Sequence, residues 1–282
     1  MGDVVGDGQS LCRYRLRRLI YLLPLLILPL TTLTILPTSN AQTLTWSNAT
    51  SPTTNNLYSV FCVTVTDCWA VGYGVIVQWN GASWATATSP TTSNLWSVFC
   101  VSANDCWAAG NGGTNGGGLI LQWNGASWTT VTTPNINALT SVHCVTANDC
   151  WAVGWSGTVV QWNGASWATA TSPTTSNLWS VFCVSANDCW AAGYDEITEL
   201  GLTIQWNGAS WSTVPSPTSN YLSSVFCVSA SDCWAVGYDF IAQWNGSSWS
   251  TVPSPTSNFL NSVFCVSASD CWAVGAGGTI VQ

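Results

Sequence analysis

One cysteine pair, C-x5-C, recurs six times along this 282-residue chain: Cys62/Cys68, Cys100/Cys106, Cys144/Cys150, Cys183/Cys189, Cys227/Cys233 and Cys265/Cys271. Each pair lies in a version of SVFCVSANDCWAVG, and five copies run on into QWNGxSW and a Ser/Thr/Pro stretch such as ATATSPTTSN. A chain built this way is an array of one unit, of about 40 residues, that must bury its apolar face against its neighbours. The unit reads as four short strands: the SVFCV run, CWAVG, the IVQW run, and a strand beginning at SW. Asn80-Gly81, Asn124-Gly125, Asn163-Gly164, Asn207-Gly208 and Asn245-Gly246 fall between the third and fourth strands. Asn-Gly predicts a two-residue type I′ hairpin there, with positive φ at both residues. Four strands per unit of this length is the signature of a β-propeller blade. The fold class expected is therefore all-β: a single six-bladed β-propeller of four-stranded antiparallel blades. The last copy stops at Gln282, which aligns with Gln78, so its fourth strand is lacking. Trp46 in TLTWSNATSP aligns with Trp84, and each precedes its next cysteine by 16 residues. An N-terminal strand is thus expected to complete the last blade and leave no open sheet edge.

Ahead of the repeats, residues 19–36 (LIYLLPLLILPLTTLTIL) form an apolar run directly after RYRLRR, and Ser39-Asn40-Ala41 follows. A basic region, an apolar stretch and a small-x-small site read as a secretory signal peptide over 1–41, with the propeller over 42–282. The alternative, an uncleaved anchor, is disfavoured by Pro24 and Pro29 inside the run. Cleavage leaves 12 cysteines, an even number suited to disulfides in an oxidising compartment, and the protein is expected to be secreted or at the cell surface.

Charge removes several function classes. All four basic residues (Arg13, Arg15, Arg17, Arg18) precede the repeats; beyond residue 18 there are 10 carboxylates, one histidine and no Lys or Arg. Nucleic-acid binding lacks the cations it needs, and so do P-loop and kinase chemistry. No cofactor and no metal site is expected.

Most of the unusual residues read as scaffold. A five-residue gap places each cysteine pair on adjacent strands across a tight hairpin, and C-x5-C is the wrong spacing for a zinc knuckle, so six disulfides are expected. Asp67, Asp105, Asp149, Asp188, Asp232 and Asp270 each precede the second cysteine and are expected to hydrogen-bond the turn backbone. Of the 20 Trp, 17 occupy three repeat positions, which points to packing. His143, the only imidazole, replaces the Phe found before the first cysteine of the other copies and reads as a satisfied, partly buried side chain.

Comparison of the copies with one another locates variation. The distance from the QW tryptophan to the next unit's first cysteine is always 21, whereas the distance from C-x5-C to QW takes the values 11, 17, 12, 17 and 11. Length changes therefore fall between strands two and three. In an up-and-down blade that loop shares a face with the connection from strand four to the next strand one. One position of that connection reads Tyr58, Trp96, Thr140, Trp179, Ser223 and Asn261, with Tyr221 and Phe259 two residues earlier in their copies. The same face is expected to carry Tyr73, the Gly/Asn-rich loop 111–118, Trp155, Tyr194, Asp195, Glu196, Glu199, Tyr238 and Asp239. Loops on a rigid scaffold are where binding concentrates.

The blade resembles those of bacterial secreted propellers with Asp-box (BNR-type) repeats, including the photosystem II assembly-factor group. In that group a G-x-I stretch leads to a D-G-x-x-W hairpin; here Gly157-Thr158-Val159 leads to Asn163-Gly164-Ala165-Ser166-Trp167. The resemblance covers residues 43–282 and implies the propeller fold. Asn stands in place of the Asp-box Asp and the family's basic residues are absent, so the activities of related glycosidases do not carry over.

The expected function is a non-catalytic, exported binding module for carbohydrate or cell-wall polymer, acting as a monomer without membrane insertion. Aromatic faces stack on sugar rings while acids and amides bond to hydroxyls. Ligand-binding candidates are Tyr58, Tyr73, Trp96, Trp155, Trp179, Tyr194, Asp195, Glu196, Glu199, Tyr221, Tyr238 and Asp239. The alternatives are an extracellular protein-interaction scaffold on the same face, a calcium site at Asp195, Glu196 and Glu199, and a hydrolase pairing Asp195 and Glu196 with Asp239.

Overall fold

A computed structural model describes residues 48–112, 116–218 and 220–282. The expected signal segment, the strand expected around Trp46 and the tip of the 111–118 loop lie outside the described residues. The unit Thr50–Gln282 is all-β, a six-bladed propeller. Blade 3 shows the pattern: strands Leu139–Thr146, Asp149–Gly154, Val159–Trp162 and Trp167–Thr169 pair in sequence order, each antiparallel to the next. Blades 1 to 5 are four-stranded, and blade 6 has three strands, Leu260–Ser267, Asp270–Gly275 and Ile280–Val281.

The register explains the cysteine spacing. The two cysteines of each pair are direct cross-strand partners, as Cys144 and Cys150 are. All six disulfides form, Cys62–Cys68, Cys100–Cys106, Cys144–Cys150, Cys183–Cys189, Cys227–Cys233 and Cys265–Cys271, each with a Cα–Cα distance of 3.9 Å. Each bridge staples the inner strand of a blade to its second strand. Cys68, Cys106, Cys150, Cys189 and Cys233, the second cysteines of blades 1 to 5, are at most 1% exposed. Their side chains point inward from the second strand. Cys106 joins the core around Trp69 and Trp128, Cys189 that around Trp151 and Trp211, Cys233 that around Trp190 and Trp249, and Cys150 that around Trp107 and Trp167. These sulfurs are scaffold, beyond the reach of a ligand.

The core lies between blades, and tryptophan builds it. Trp151 of blade 3 is fully buried. It meets the QW tryptophan of blade 4, Trp206, at 4.8 Å, and the SW tryptophan, Trp211, edge-on at 5.2 Å. Trp69, Trp107 and Trp190 repeat this triad against the blade that follows each. Such offset and T-shaped contacts suit the ring quadrupoles. The indole N–H of each QW tryptophan donates to a carbonyl in its own blade's first turn, as Trp162 does to Ala147 at 3.1 Å. Nearer the axis, the Ser of the SVF motif ties inner strand to inner strand. Ser141 Oγ accepts the Val181 N–H at 3.1 Å, and Ser59, Ser97, Ser180 and Ser224 act likewise.

Two local expectations are corrected. The Asn-Gly hairpins are not two-residue type I′ turns. Trp162 pairs with Trp167, so the loop holds four residues, and only the glycine has positive φ, 90° at Gly164. The Asn side chain decides this: Asn163 Oδ1 accepts the N–H groups of Ala165 and Ser166, both at 3.0 Å, an Asx-type closure that favours the longer loop. The repeat Asp residues bond across strands and not to the turn. Asp149 Oδ1 accepts Gln161 Nε2 at 3.0 Å, and the other five blades repeat the pair. The first turn is instead held by the preceding Ser or Thr, as Thr146 Oγ1 accepts the Asn148 N–H.

Blade 6 differs from the others on its outward face. Phe264, Val266, Trp272 and Ile280 are 56%, 69%, 42% and 54% exposed, because among the described residues no further blade packs against them.

Candidate functional site

Length variation appears as longer strands as well as longer loops. In blades 2 and 4 the second and third strands extend, to Asp105–Gly112 with Gly117–Trp123 and to Asp188–Asp195 with Leu200–Trp206. In blade 3 the space is filled by a single 3-10 turn, Trp155–Gly157. These segments share a face with the connections between blades, as expected. Trp155 N–H donates to Ala138 at 2.9 Å and Gly157 N–H to Ser176 at 2.8 Å, so the loop is tied to the connections on either side. Tyr73 and Gly74 make the same pair of bonds, to Asn56 and Ser93.

The aromatic candidates separate into two kinds. Tyr58 and Trp96 stack on each other at 4.6 Å. Tyr221 lies 5.4 Å from Trp179, 5.5 Å from Tyr194 and 5.5 Å from Phe259, which in turn contacts Tyr238 at 6.2 Å. These contacts use much of the ring surface that a ligand would need. Where the aromatic position is Thr140 or Ser223, the hydroxyl bonds to the next blade's backbone instead, at Leu178 and Leu260. Tyr73, Trp155 and Tyr238 remain 57%, 45% and 55% exposed.

The four non-repeat carboxylates also separate. Asp195 Oδ1 accepts the Ile197 N–H at 2.9 Å and the Thr198 N–H at 3.4 Å; the Ile197 bond foremost holds its carboxyl below the ordinary range. Asp195 therefore closes the hairpin it sits on. Glu199 and Asp239 occupy left-handed turn positions, with φ of 56° and 52°. Glu196 is the exception. Its Oε1 accepts Asn177 Nδ2 at 2.9 Å, while Asn177 Oδ1 accepts the Ser156 N–H at 2.9 Å. One amide thus joins the blade 3 loop to the blade 4 hairpin and is oriented by both. Burial first, and the Glu196 charge second, push the Tyr221 hydroxyl above its ordinary value.

Around this bridge lies a cleft of about 360 Å³ lined by Trp155, Ser156, Thr175, Ser176, Asn177, Glu196 and Ile197. It joins one open indole face, three hydroxyls, an amide and a carboxylate. Of the sequence candidates it gathers Trp155 and Glu196; the other ten lie outside its lining. Ser156 and Asn177 were not legible as site residues. Asn177 has counterparts before the inner strands of other blades, at Asn56 and Asn94, so it reads as linker. Ser156 takes a left-handed φ of 53° that nothing in its residue type announces.

The remaining buried titratable group is not at this face. His143 lies between Phe99 and Phe182, at 4.3 and 4.4 Å, within a ladder of inner-strand rings. Its Nδ1 accepts the Cys183 N–H at 3.3 Å, and burial lowers its pKa to about 3. Among the described residues no group of three or more His, Cys, Asp or Glu could hold a metal ion, and no helix is long and apolar enough to cross a membrane.

No protein-family profile and no curated protein matches the chain. Solved structures do share its fold. YCF48 bound to D1 peptide is 15% identical, with a TM-score of 0.64 over 81% of this chain and 77% of that one. YCF48 from Cyanidioschyzon merolae is also 15% identical, with a TM-score of 0.61 over 81% and 82%. The structure of U3-55K is 13% identical, with a TM-score of 0.62 over 79% and 73%. At these identities the likeness shows the fold: a propeller related in shape to YCF48, the neighbour expected from the photosystem II assembly-factor resemblance.

Proposed function

We propose that this protein is an exported, non-catalytic binding module that takes a carbohydrate or cell-wall polymer in the cleft between blades 3 and 4. One observation carries the reading: Trp155 presents an open aromatic face beside the Asn177 amide, held by the Ser156 N–H, and the Glu196 carboxylate, held by Asn177. Sugar rings stack on such a face, and their hydroxyls need partners of this kind. Prior orientation of those partners reduces the ordering that binding would otherwise require. The cleft lies within the size range of small-ligand sites. The six disulfides and the signal-like N-terminus support export. Of the acids in the paired-acid hydrolase alternative, Asp195 is committed to the backbone N–H groups of Ile197 and Thr198.

A glycan array probed with the wild-type protein and with Trp155→Ala tests the proposal. Binding that is lost in the variant supports it, and binding that survives places the ligand elsewhere. A second reading, an extracellular peptide partner on the same face, is favoured by the fold neighbour that was solved with a peptide bound. It predicts capture of a protein segment that free sugars do not compete away.

A further inference from the structure

We infer that the sugar held in this cleft carries a protonated amine; the inference rests on the carbohydrate reading above. Beside this cleft the propeller offers anionic sugars no cationic side chain. Beyond residue 18 the sequence has no Lys or Arg, and its one imidazole is buried and neutral, away from this face. A uronate, a sialic acid or a phosphorylated polymer would therefore meet carboxylates and hydroxyls with no counter-charge.

The cleft offers a cation two complementary groups. The first is the Glu196 carboxylate, whose Oε1 already receives Asn177 Nδ2. That bond fixes the side chain and uses one of roughly four acceptor positions of the carboxylate. The second is the Trp155 indole, 45% exposed, whose face attracts both the C–H side of a sugar ring and a nearby ammonium. The two residues come from different blades, Trp155 from the turn of blade 3 and Glu196 from the hairpin of blade 4, and Asn177 spans them through Ser156 N–H and Glu196 Oε1. Ser156, Thr175 and Ser176 complete the lining with hydroxyls suited to the remaining ring substituents. Neutral sugars satisfy the aromatic and hydroxyl part of this site. A hydroxyl can donate to the carboxylate too, but only an amino sugar also balances its charge.

The test is calorimetric titration of the exported chain with three trisaccharides: glucosamine, N-acetylglucosamine and glucuronate oligomers. The amine form should bind at least about five-fold more tightly than the acetylated form, the gain expected of one exposed ion pair with a cation–π contact. Glu196→Gln, which retains shape and should retain the native thermal unfolding curve, should abolish that preference, so that the amine and acetylated forms bind the variant equally. Trp155→Ala should weaken both. Equal affinity for amine and acetylated forms, both lost in Trp155→Ala, overturns the amine inference but leaves the carbohydrate reading intact. Binding to none of the three overturns the reading itself, and preference for the glucuronate overturns the electrostatic argument.

Discussion

The interior between blades and the variable rim are built from the same residue types and obey opposite rules. Between blades, each CWA tryptophan meets its two partners at centroid distances of 4.7–5.0 Å and 5.2–5.4 Å in four successive interfaces. On the rim the arrangement changes from blade to blade: a stacked pair at blades 1 and 2, a hydroxyl bond at blades 3 and 5, a cluster around Tyr221, and an exposed indole at Trp155. Repetition marks the residues whose partner is another copy of the unit. Departure from repetition marks those whose surroundings are individual, and only there can a specific ligand be recognised. Blade 6 sharpens the point, because its Trp272 has the repeat identity, has no following blade packed on it among the described residues, and is 42% exposed. Position in the array, and not residue type, buries a tryptophan here.

The contrast can be broken most severely by reduction. Each disulfide closes a short loop and contributes about 2 kcal/mol in the chain-entropy model, so urea unfolding with reductant should show the largest loss of stability, with all six bridges opened together. No change in the midpoint would mean that the bridges constrain nothing the strands do not already fix. A single lattice substitution comes next. Trp151→Ala should cost about 3–5 kcal/mol through the cavity it leaves, whereas Trp155→Ala, four residues later, should stay within about 0.5 kcal/mol. Equal midpoint shifts for the two variants would erase the distinction between interior and rim.

A further effect is set by pH. His143 is neutral in the fold, with a pKa near 3, while its unfolded value is 6.5. Its contribution is therefore complete above pH 6.5. As the pH falls below that value the unfolded chain binds a proton that the native state refuses, and stability declines by about 1.4 kcal/mol per pH unit until the folded pKa is reached. His143→Phe restores the residue found in the other copies, and its stability between pH 6.5 and 4 should lack this component. Parallel pH profiles for wild type and variant would show that the imidazole is not the titrating group.

Much of this was readable in the residues, for a physical reason. Strand number, blade count and cysteine pairing depend on local spacing, and six copies of that spacing leave little freedom. What escaped depended on partners remote in sequence or on side chains competing with backbone. The hairpin at Asn163 lengthens because an amide oxygen captures two backbone donors. Asp149 turns away from its own turn toward Gln161, 12 residues on. Trp96 and Trp179, conspicuous as non-repeat aromatics, prove to be engaged with Tyr58 and Tyr221. Asn177 hid for the opposite reason: it looks like its counterparts, and only the unusual neighbours on either side turn it into a bridge.

Among the described residues every covalent staple lies within a blade, and none joins one blade to the next. Under tension the protein should therefore part like the leaves of a fan, each leaf riveted and intact, with the tryptophan seams yielding first. A pulling experiment would then record extensions of whole blades, and the chain could rejoin its seams on relaxation without having to re-form a single strand.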